Sequence, residues 1–504
     1  DGKVTLYWNN AAESSYDDFL NEYDFEGYKI YRSTDPGFID SYTITSGYGE
    51  NALFKPSAQF DIVNEVYGFF PLDYQGVKIY MGDNKGLKHS WVDNDVMNGQ
   101  TYYYALVSYD KGNVPIGIYP SECAKVIVRD LAGNISIDKN TAYVTPGTRA
   151  AGYDEPGLVG GIEHSSGFAT GTTWVEVLNP MSVSDESFVL KFNDTTHPDT
   201  IQYSLYKVNG IDTTDIFTNS SYINGEDFNP MFNGIRVLVM NDTIAFDPDN
   251  SGWKDDASNL IIQGSLLRQL PGRVHGYPSS YEIRVGEPDS SWRFGYRSAT
   301  NFQVWDVYEN EKSLFYFWEP TGQQDEKISA GDYITIWKQV EGIWREIWKF
   351  SFIAPPNQEL ILPEDGDKGE IIIKTPFRTG DEYTFTTKSI AIDQAKAEED
   401  MNLVAVVPNP YVGAAKWEPQ RLTSSGRGER RIYFIHLPRE ATIRIYTISG
   451  YHVNTIYHNS ANYDGQEPWN ITNKEGLDIA PGVYIYHVES PGLPDKIDKF
   501  AIIK

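Results

Sequence analysis

Cysteine is nearly absent from this sequence, since Cys123 is the only one in 504 residues. A single cysteine excludes a disulfide within the chain and any zinc site built from several thiolates. Cys123 lies in the stretch from Glu122 to Val128, which is rich in β-branched residues. This pattern predicts a strand in which the thiol is buried and structural.

Long apolar runs are absent as well. None reaches the roughly 18 residues that a membrane-spanning helix needs, so we expect no membrane span. The sequence also has no signal peptide at Asp1. We therefore expect it to be a processed form or the C-terminal part of a longer chain.

The common catalytic motifs are missing too. The eight histidines form no HExxH pair, and neither a GxSxG elbow nor a P-loop occurs. His164 and Ser165 are adjacent, but a catalytic triad needs side chains from separate elements. Acidic pairs are too numerous for any to be chosen as glycosidase carboxylates. The sequence therefore predicts no enzymatic activity.

Positive charge is also scarce. Against 42 Lys and Arg residues stand 70 Asp and Glu residues, which gives a net charge of −28. Residues 403–504 are nearly neutral, with 11 basic and 10 acidic side chains, so the rest of the chain carries the excess. Such an acidic surface repels nucleic acid and anionic membranes, and we expect no nucleic-acid partner.

Aromatic and β-branched residues are abundant, with 35 Tyr alone. They occur in short runs separated by Gly, Pro, Asn and Asp, whereas helical periodicity is rare. The sequence therefore predicts an all-β, multi-domain chain of Ig-like or fibronectin-like β-sandwiches.

The C-terminal part, residues 403–504, predicts a β-sandwich of about seven strands. It opens with Pro408-Asn409-Pro410-Tyr411, in which two prolines forbid a helix. Short apolar runs follow at Ile432–Leu437, Thr442–Ile448, Val483–Val488 and Phe500–Ile503.

In order and spacing, these segments resemble the C-terminal sorting domain of type IX secretion substrates. They are also similar to the Ig-like domain of flagellar hook-capping proteins. The resemblance implies contact of residues 403–504 with the type IX secretion machinery, and an extracellular or outer-surface location. In that family the domain is often cleaved, and the body is attached to surface lipopolysaccharide or released. The alternative is a terminal sandwich that only stabilises its neighbour.

Residues 1–130 resemble a fibronectin type III domain. Trp8 would lie in the core, Tyr102 would form the tyrosine corner, and Cys123–Val128 would be the last strand. A long insertion, about 36–86, departs from that family and carries Tyr48, Phe54, Phe60, Tyr67, Phe69, Phe70 and Tyr74. The insertion either contacts a partner or folds back over a sheet edge.

Residues 131–395 predict a central β-sandwich region, either one large sandwich or two small ones, before a linker at 396–402. Eleven candidate strands recur there: Thr172–Leu178, Phe188–Phe192, Ile201–Val208, Ile235–Met240, Tyr281–Val285, Phe302–Tyr308, Leu314–Trp318, Tyr333–Lys338, Trp344–Phe352, Glu370–Lys374 and Glu382–Thr387.

One acidic loop in this region has the spacing of a calcium site. Asp247, Asp249, Ser251 and Asp255 occupy positions one, three, five and nine of a calcium loop, and Gly252 supplies the turn at six. Position twelve is Ser258 instead of the usual bidentate Glu. The loop predicts calcium as a possible cofactor, with an acidic solvated turn as the alternative.

Five tryptophans of the central region could stack on sugar rings or pack in a core: Trp305, Trp318, Trp337, Trp344 and Trp348. Trp344 and Trp348 are four residues apart, which predicts that they share a strand face. The leading interpretation is a secreted structural or adhesive surface protein, with a self-assembling surface or filament subunit as its most specific form. Self-association and contact with surface polysaccharide are the partners considered for it. The alternatives are a secreted carbohydrate-binding or hydrolytic protein, and the C-terminal part of a longer extracellular enzyme.

Overall fold

The computed structural model describes residues 2–45, 51–130, 134–194, 201–267, 278–293, 296–322, 324–340, 342–415, 418 and 430–503. The chain is all-β and built almost entirely from antiparallel sheets, as the sequence predicts. Its described helices are α1 (Gln394–Asp400) and short 3-10 turns at Ala11–Ser14, Ile39–Ser41, Val114–Ile116, Pro180–Ser182, Lys254–Asp256 and Met401–Leu403. No helix in the described residues is long and apolar enough to cross a membrane.

Twelve strands lie in the described residues of the N-terminal unit: β1 (Val4–Tyr7), β2 (Phe25–Ser33), β3 (Tyr42–Thr45), β4 (Asn51–Phe54), β5 (Ala58–Asp61), β6 (Gly68–Tyr74), β7 (Val77–Gly82), β8 (Ser90–Asp93), β9 (Tyr102–Asp110), β10 (Ile127–Arg129), β11 (Ile135–Ile137) and β12 (Thr141–Val144). A four-stranded sheet of order β12-β9-β2-β5 faces the β1-β8 pair. Trp8 is partly buried between them, against Tyr28 and Phe60. Met97 N donates to Tyr102 Oη at 2.9 Å, which is the contact expected of a tyrosine corner.

Two predictions for this unit are wrong. Cys123 is exposed, not buried, and it precedes a strand that is only three residues long. The outer strand of the main sheet is β12, which pairs with β9, so the sheet extends past residue 130. The apolar stretch after Cys123 folds as a small ribbon with β11 instead. The fibronectin resemblance stays a prediction.

The insertion folds back onto the unit, as one of the two alternatives predicts. β5 extends the main sheet at its edge by pairing with β2. The β6-β7 ribbon turns Phe70, Ile79 and Met81 inward against Tyr109, so the second face of the sheet is also covered. Other aromatics of the insertion remain exposed on the outer face of the ribbon: Tyr67, Phe69 and Tyr80. Tyr48 lies outside the described residues.

In its described residues, the central region contains twenty strands: β13 (Tyr153–Asp154), β14 (Gly157–Ser166), β15 (Thr172–Val177), β16 (Ser187–Asp194), β17 (Ile201–Asn209), β18 (Asp212–Ser220), β19 (Ile235–Met240), β20 (Ala245–Phe246), β21 (Gly252–Trp253), β22 (Ile261–Leu266), β23 (Tyr281–Arg293), β24 (Tyr296–Asp306), β25 (Glu311–Lys312), β26 (Leu314–Trp318), β27 (Tyr333–Val340), β28 (Ile343–Ile353), β29 (Lys368–Ile371), β30 (Ile373–Lys374), β31 (Glu382–Lys388) and β32 (Ala391–Ile392). β13 pairs with β32, so the two ends of the region meet.

Two separate hydrophobic cores lie in the central region. The first packs the sheet β14-β31-β16-β17-β18 against the β15-β19 pair. The second lies between the sheets β21-β29-β23-β24-β25 and β22-β28-β27-β26. The strands of the second core are inserted in the sequence between β19 and β31 of the first. The order of the strands along the sequence therefore does not decide between one large sandwich and two small ones.

The part of the terminal unit that the structure describes contains eight strands: β33 (Ala405–Val407), β34 (Tyr411–Val412), β35 (Ile432–Ile435), β36 (Glu440–Thr447), β37 (His452–Asn459), β38 (Glu467–Trp469), β39 (Gly482–Glu489) and β40 (Lys496–Ile503). Sheets of order β33-β35-β38 and β34-β40-β39-β36-β37 enclose their own core. The four predicted apolar runs all form strands. The predicted linker is α1 with the 3-10 turn that follows, and both Ala397 and Met401 are buried.

Candidate functional site

The predicted calcium loop is organised by its own hydrogen bonds. Asp247 Oδ1 accepts from the backbone N of Asp249 at 3.2 Å, and its Oδ2 accepts from Asn250 Nδ2 at 2.8 Å. Ser251 Oγ donates to Asp247 O and accepts from Ile372 N. The hydrogen bond from Asn250 is the main reason why the pKa of Asp247 lies below its ordinary value.

These contacts tie the loop to Ile372, between β29 and β30, instead of turning its ligands toward a common point. Asp249 and Asp255 are exposed. The carboxylates of Asp247, Asp249 and Asp255 do not all lie within 4.8 Å of one another. Calcium binding here stays a prediction, and the hydrogen bonds are those of an acidic turn.

Another group of potential ligands lies on the outer face of the terminal unit. Among the described residues, His487, Glu489 and Asp495 are the one set of three whose ligand atoms lie within 4.8 Å of one another. His487 Nε2 is 3.0 Å from Asp495 Oδ2, and Arg444 Nη1 is 2.5 Å from Glu489 Oε2. Arg444 lowers the pKa of Glu489. Because Glu489 already has a cationic partner, we interpret the group as a surface ion-pair network.

The tryptophans do not form a solvent-facing row. Trp348 is buried in the second central core, whereas Trp344 is 49% exposed. The prediction that they share a face is wrong, because the β27-β28 register shifts between Ile336 and Trp337 and changes the alternation. Trp337 is also buried, whereas Trp305 and Trp318 are half-buried, so burial explains two of the five tryptophans.

A buried polar cluster joins the N-terminal unit to the first central core. The side chain of His89 is only 2% exposed, and each of its ring nitrogens contacts a carboxylate. Nδ1 is 2.8 Å from Asp227 Oδ1, and Nε2 is 2.6 Å from Glu13 Oε1. On the other side, Arg236 Nη1 donates to Asp227 O at 2.8 Å.

The cluster is extended by further polar groups on both sides of the junction. Arg236 Nη2 donates to Ser90 Oγ and to Glu176 Oε2, and Tyr28 Oη donates to Glu13 Oε1. The network thus connects β8 of one unit with β19 and β15 of the other.

Hydrogen bonds and opposite charges, not burial, set the direction of the pKa shifts at this junction. Burial alone would lower the pKa of His89, but hydrogen bonds to Asp227 and Glu13 raise it above its ordinary value. Burial alone would raise the pKa of Asp227, but its hydrogen bonds from His89 and the Arg236 charge lower it. The geometry therefore favours an imidazolium between two carboxylates. Its closed surroundings suit a structural joint, not a reaction centre.

The terminal unit is held by a clasp, which we define as residues 146–154 between β12 and β14. Gly465 N donates to Thr148 O, and Ala150 N donates to Tyr463 O, at 2.8 and 2.9 Å. Ala151 N donates to Leu437 O at 3.0 Å. The clasp thus adds backbone hydrogen bonds to the terminal unit as a short strand would.

Side chains and close backbone approaches reinforce the clasp. Thr148 Oγ1 accepts from His436 N and donates to Gly465 O. A Cβ on Gly465 would meet Arg149 O at 2.1 Å, so only glycine fits this approach. Asp400 Oδ2 accepts from Gly152 N at 2.8 Å, which extends the contact to the end of α1.

The terminal unit also touches the N-terminal unit directly. Tyr433 Oη donates to Gly99 O at 3.1 Å, and both groups lie in a buried contact. The terminal unit is therefore anchored at the clasp, at α1 and at the turn before β9. No motif in the sequence signals this arrangement, since its hydrogen bonds run mostly through the backbone.

Comparisons with known proteins identify no family for this chain. No family model matches it, and no curated protein is similar. Among solved structures it is similar to PorZ, described as an essential surface component of the type-IX secretion system of Porphyromonas gingivalis. The identity is 12%, the TM-score is 0.19, and the match covers 82% of this chain and 65% of PorZ.

Two further structures are similar at the same level. Dimeric latent PorU from Porphyromonas gingivalis shares 12% identity at a TM-score of 0.14, with 70% of this chain and 34% of that one covered. A tetra-tandem repeat from the extending region of a large adhesion protein shares 9% identity at a TM-score of 0.12, over 95% and 92% of the two chains. The chain thus spans less than two thirds of PorZ and PorU. Scores this low establish no relationship, so function is argued from the chain itself.

Proposed function

We propose that this chain is a secreted structural or adhesive protein of the outer cell surface, exported by the type IX pathway, in which the terminal unit remains part of the mature molecule. The clasp is the observation that carries the proposal. A removable sorting domain needs few contacts with the rest of the protein, whereas residues 403–504 are hydrogen-bonded both to the clasp and to Gly99 of the N-terminal unit.

Export by the type IX pathway is supported by the resemblance of residues 403–504 to its sorting domains. In this proposal the same residues contact the secretion machinery before the terminal unit takes up its structural role. The acidic body suits a soluble, exposed surface protein because like charges oppose non-specific association.

A non-enzymatic role is supported by the placement of the chemistry-bearing side chains. His89 is enclosed between carboxylates at a junction, and His458 is buried between Glu467 and the backbone O of Asp464. The exposed Trp344 has no row of exposed tryptophans beside it in the described residues of the cluster, which gives the carbohydrate-binding alternative little support.

Self-association is proposed through the outer face of the β6-β7 ribbon. Phe69 and Tyr80 pair across the two strands with ring centroids 5.2 Å apart, and both are exposed. Exposed paired aromatics are typical of protein–protein contacts. A surface polysaccharide is the other partner consistent with aromatic side chains in an extracellular protein.

Intact mass measurement of protein recovered from cells and from medium tests the proposal. We expect a mature chain that still contains residues 403–504, and ordered polymers or a surface layer in electron micrographs. Recovery of a mature body that ends before residue 403 would overturn the structural role of the terminal unit. A retained terminal unit in a protein found only in the cytoplasm would overturn the export step.

A further inference from the structure

The connection between β26 and β27 brings acidic side chains to one end of the second central core. Trp318 pairs with Tyr333 in the sheet, so Glu319 and Asp332 are the next neighbours across the two strands. Glu319 Oε1 accepts from the backbone N of Asp325 at 2.8 Å and of Glu326 at 3.0 Å. Three carboxylates, those of Glu319, Asp325 and Asp332, thus belong to one short connection.

Asp332 has a buried oxygen without a partner. The residue is 1% exposed, and its Oδ2 accepts from Ser329 N at 2.7 Å and Ser329 Oγ at 3.0 Å. Its Oδ1 is buried and makes no hydrogen bond to any group in the described part of the chain. Such orphaned acceptors are rare in folded proteins because each costs free energy.

A second orphaned oxygen lies beside the same connection. Asn301 N in β24 donates to Glu326 O at 3.0 Å, which places Asn301 against it. Asn301 Oδ1 is buried and has no hydrogen-bond partner among the residues described. A carboxylate oxygen and an amide oxygen that accept no hydrogen bond from the described residues have the chemistry of cation ligands, because a cation interacts with acceptors only.

The electrostatics agree with this geometry. Burial, together with the charges of Glu319 and Asp325, raises the pKa of Asp332 to about 6, although hydrogen bonds from Ser329 oppose the shift. Lys327 is the cation of the connection, but it is exposed. A bound divalent ion would remove this concentration of negative potential.

We propose that this connection binds a divalent cation of the calcium type, with Asp332 Oδ1 as its buried anchor and Glu319, Asp325 and Asn301 as further oxygen ligands. Hard oxygen donors of mixed carboxylate and amide type are those that calcium prefers. The three carboxylates do not all lie within 4.8 Å of one another, so the proposal requires their side chains to move closer together when the ion binds.

Terbium luminescence tests the site, because Tb³⁺ replaces Ca²⁺ and is excited through a nearby indole. Trp318 directly precedes Glu319 and stacks on Tyr333 with ring centroids 5.0 Å apart. We expect saturable Tb³⁺ emission from the full chain that Ca²⁺ displaces. Asp332→Asn should weaken binding by roughly tenfold or more, since it removes the anchoring charge. Asn imitates the protonated carboxyl, and circular dichroism checks that the fold is kept.

Two further variants make the result decisive. Glu319→Gln should weaken Tb³⁺ binding as well, whereas Asp249→Asn, in the acidic turn predicted from the sequence, should leave it unchanged. If folded Asp332→Asn bound Tb³⁺ fully while Asp249→Asn lost Tb³⁺ binding, the metal site would lie in that acidic turn. This result would overturn the proposal. Absence of saturable emission, or of any calcium-induced rise in melting temperature, would also overturn it. The test does not depend on the proposed surface role.

Discussion

At the scale of single residues, His89 shows how one side chain can join two units. Its neighbours provide the charge: Glu13 belongs to the N-terminal unit, and Asp227 belongs to the first central core. Burying these groups is costly, and their mutual hydrogen bonds offset that cost, together with the charge of Arg236 beside Asp227. Removing one partner therefore leaves the remaining buried charges with less compensation.

The junction should have a defined pH dependence. The pKa of His89 is raised in the folded state, so its contribution is fully present below about pH 6.5 and is lost as the pH rises through the raised pKa. The pKa of Asp227 is lowered, so its contribution is present above about pH 4 and is lost as the pH falls through the lowered pKa. The junction is therefore most stable between roughly pH 4 and 6.5.

His89→Gln should destabilise the chain by about 3 kcal/mol near pH 6, because Asp227 and Glu13 lose a cationic partner. The variant should also lose the fall in stability that the wild type shows above pH 6.5. Calorimetric unfolding between pH 5.5 and 9 measures both effects. His452→Gln is the control, since His452 lies exposed on β37. An unchanged pH profile in His89→Gln would refute this account of the junction.

At the scale of elements, sequence patterns predicted most strands of the central region and missed others, some of which have an unusual composition. The eleven central candidates all coincide with strands because β-branched and aromatic residues favour pleated, half-buried surfaces. β14 was missed because it is glycine-rich and its register shifts between Val159 and Ile162. β18 was missed because it is a polar edge strand, and polar edges resist pairing with other chains.

The candidate sites were harder to predict than the strands. Loop spacing suggested ligands at Asp247 and its neighbours, yet their hydrogen bonds close a turn. The connection between Glu319 and Asp332 has no ligand spacing in sequence. Its two ends become neighbours only through the pairing of β26 with β27. Strand register of this kind depends on tertiary packing, which the sequence pattern does not contain.

The tyrosine corner offers an element-level prediction. Tyr102→Phe removes the acceptor for Met97 N at the turn before β9 and should cost about 1 kcal/mol, the net value of one such hydrogen bond. Tyr143→Phe is the matched control, because Tyr143 lies on the neighbouring strand β12 and is exposed. Urea unfolding of both variants measures the difference. Equal stability of the two would show that the hydroxyl of Tyr102 contributes nothing to the turn.

At the scale of the whole molecule, segments that are far apart in the sequence contact one another repeatedly. The second central core is inserted into the first, β13 meets β32, and the clasp between the first two units receives the terminal unit. Such long-range contacts link the stabilities of units that each have their own core. The clasp uses backbone groups and a glycine instead of opposite charges, so salt should weaken it little.

Gly465→Ala isolates the clasp. The added Cβ would lie 2.1 Å from Arg149 O and 2.6 Å from Arg149 C, both backbone atoms, so the clasp must separate from the segment before β38 that carries Gly465. Gly465 is not itself one of the buried residues of the terminal core, which should remain folded. We expect limited proteolysis to release an intact terminal unit from this variant much faster than from the wild type.

Gly482→Ala is the matched control, because its Cβ would lie in the same unit with Tyr484 Cε2 as its nearest neighbour, at 3.9 Å. Neither glycine has a positive φ, so backbone strain does not distinguish the two substitutions. Equal release from both variants would mean that the clasp contributes no stability and that residues 403–504 are free to act as a removable address. Release of the terminal unit from Gly465→Ala alone would mean that the backbone hydrogen bonds of residues 146–154 hold this unit in place. The terminal unit would then be a structural part of the mature molecule.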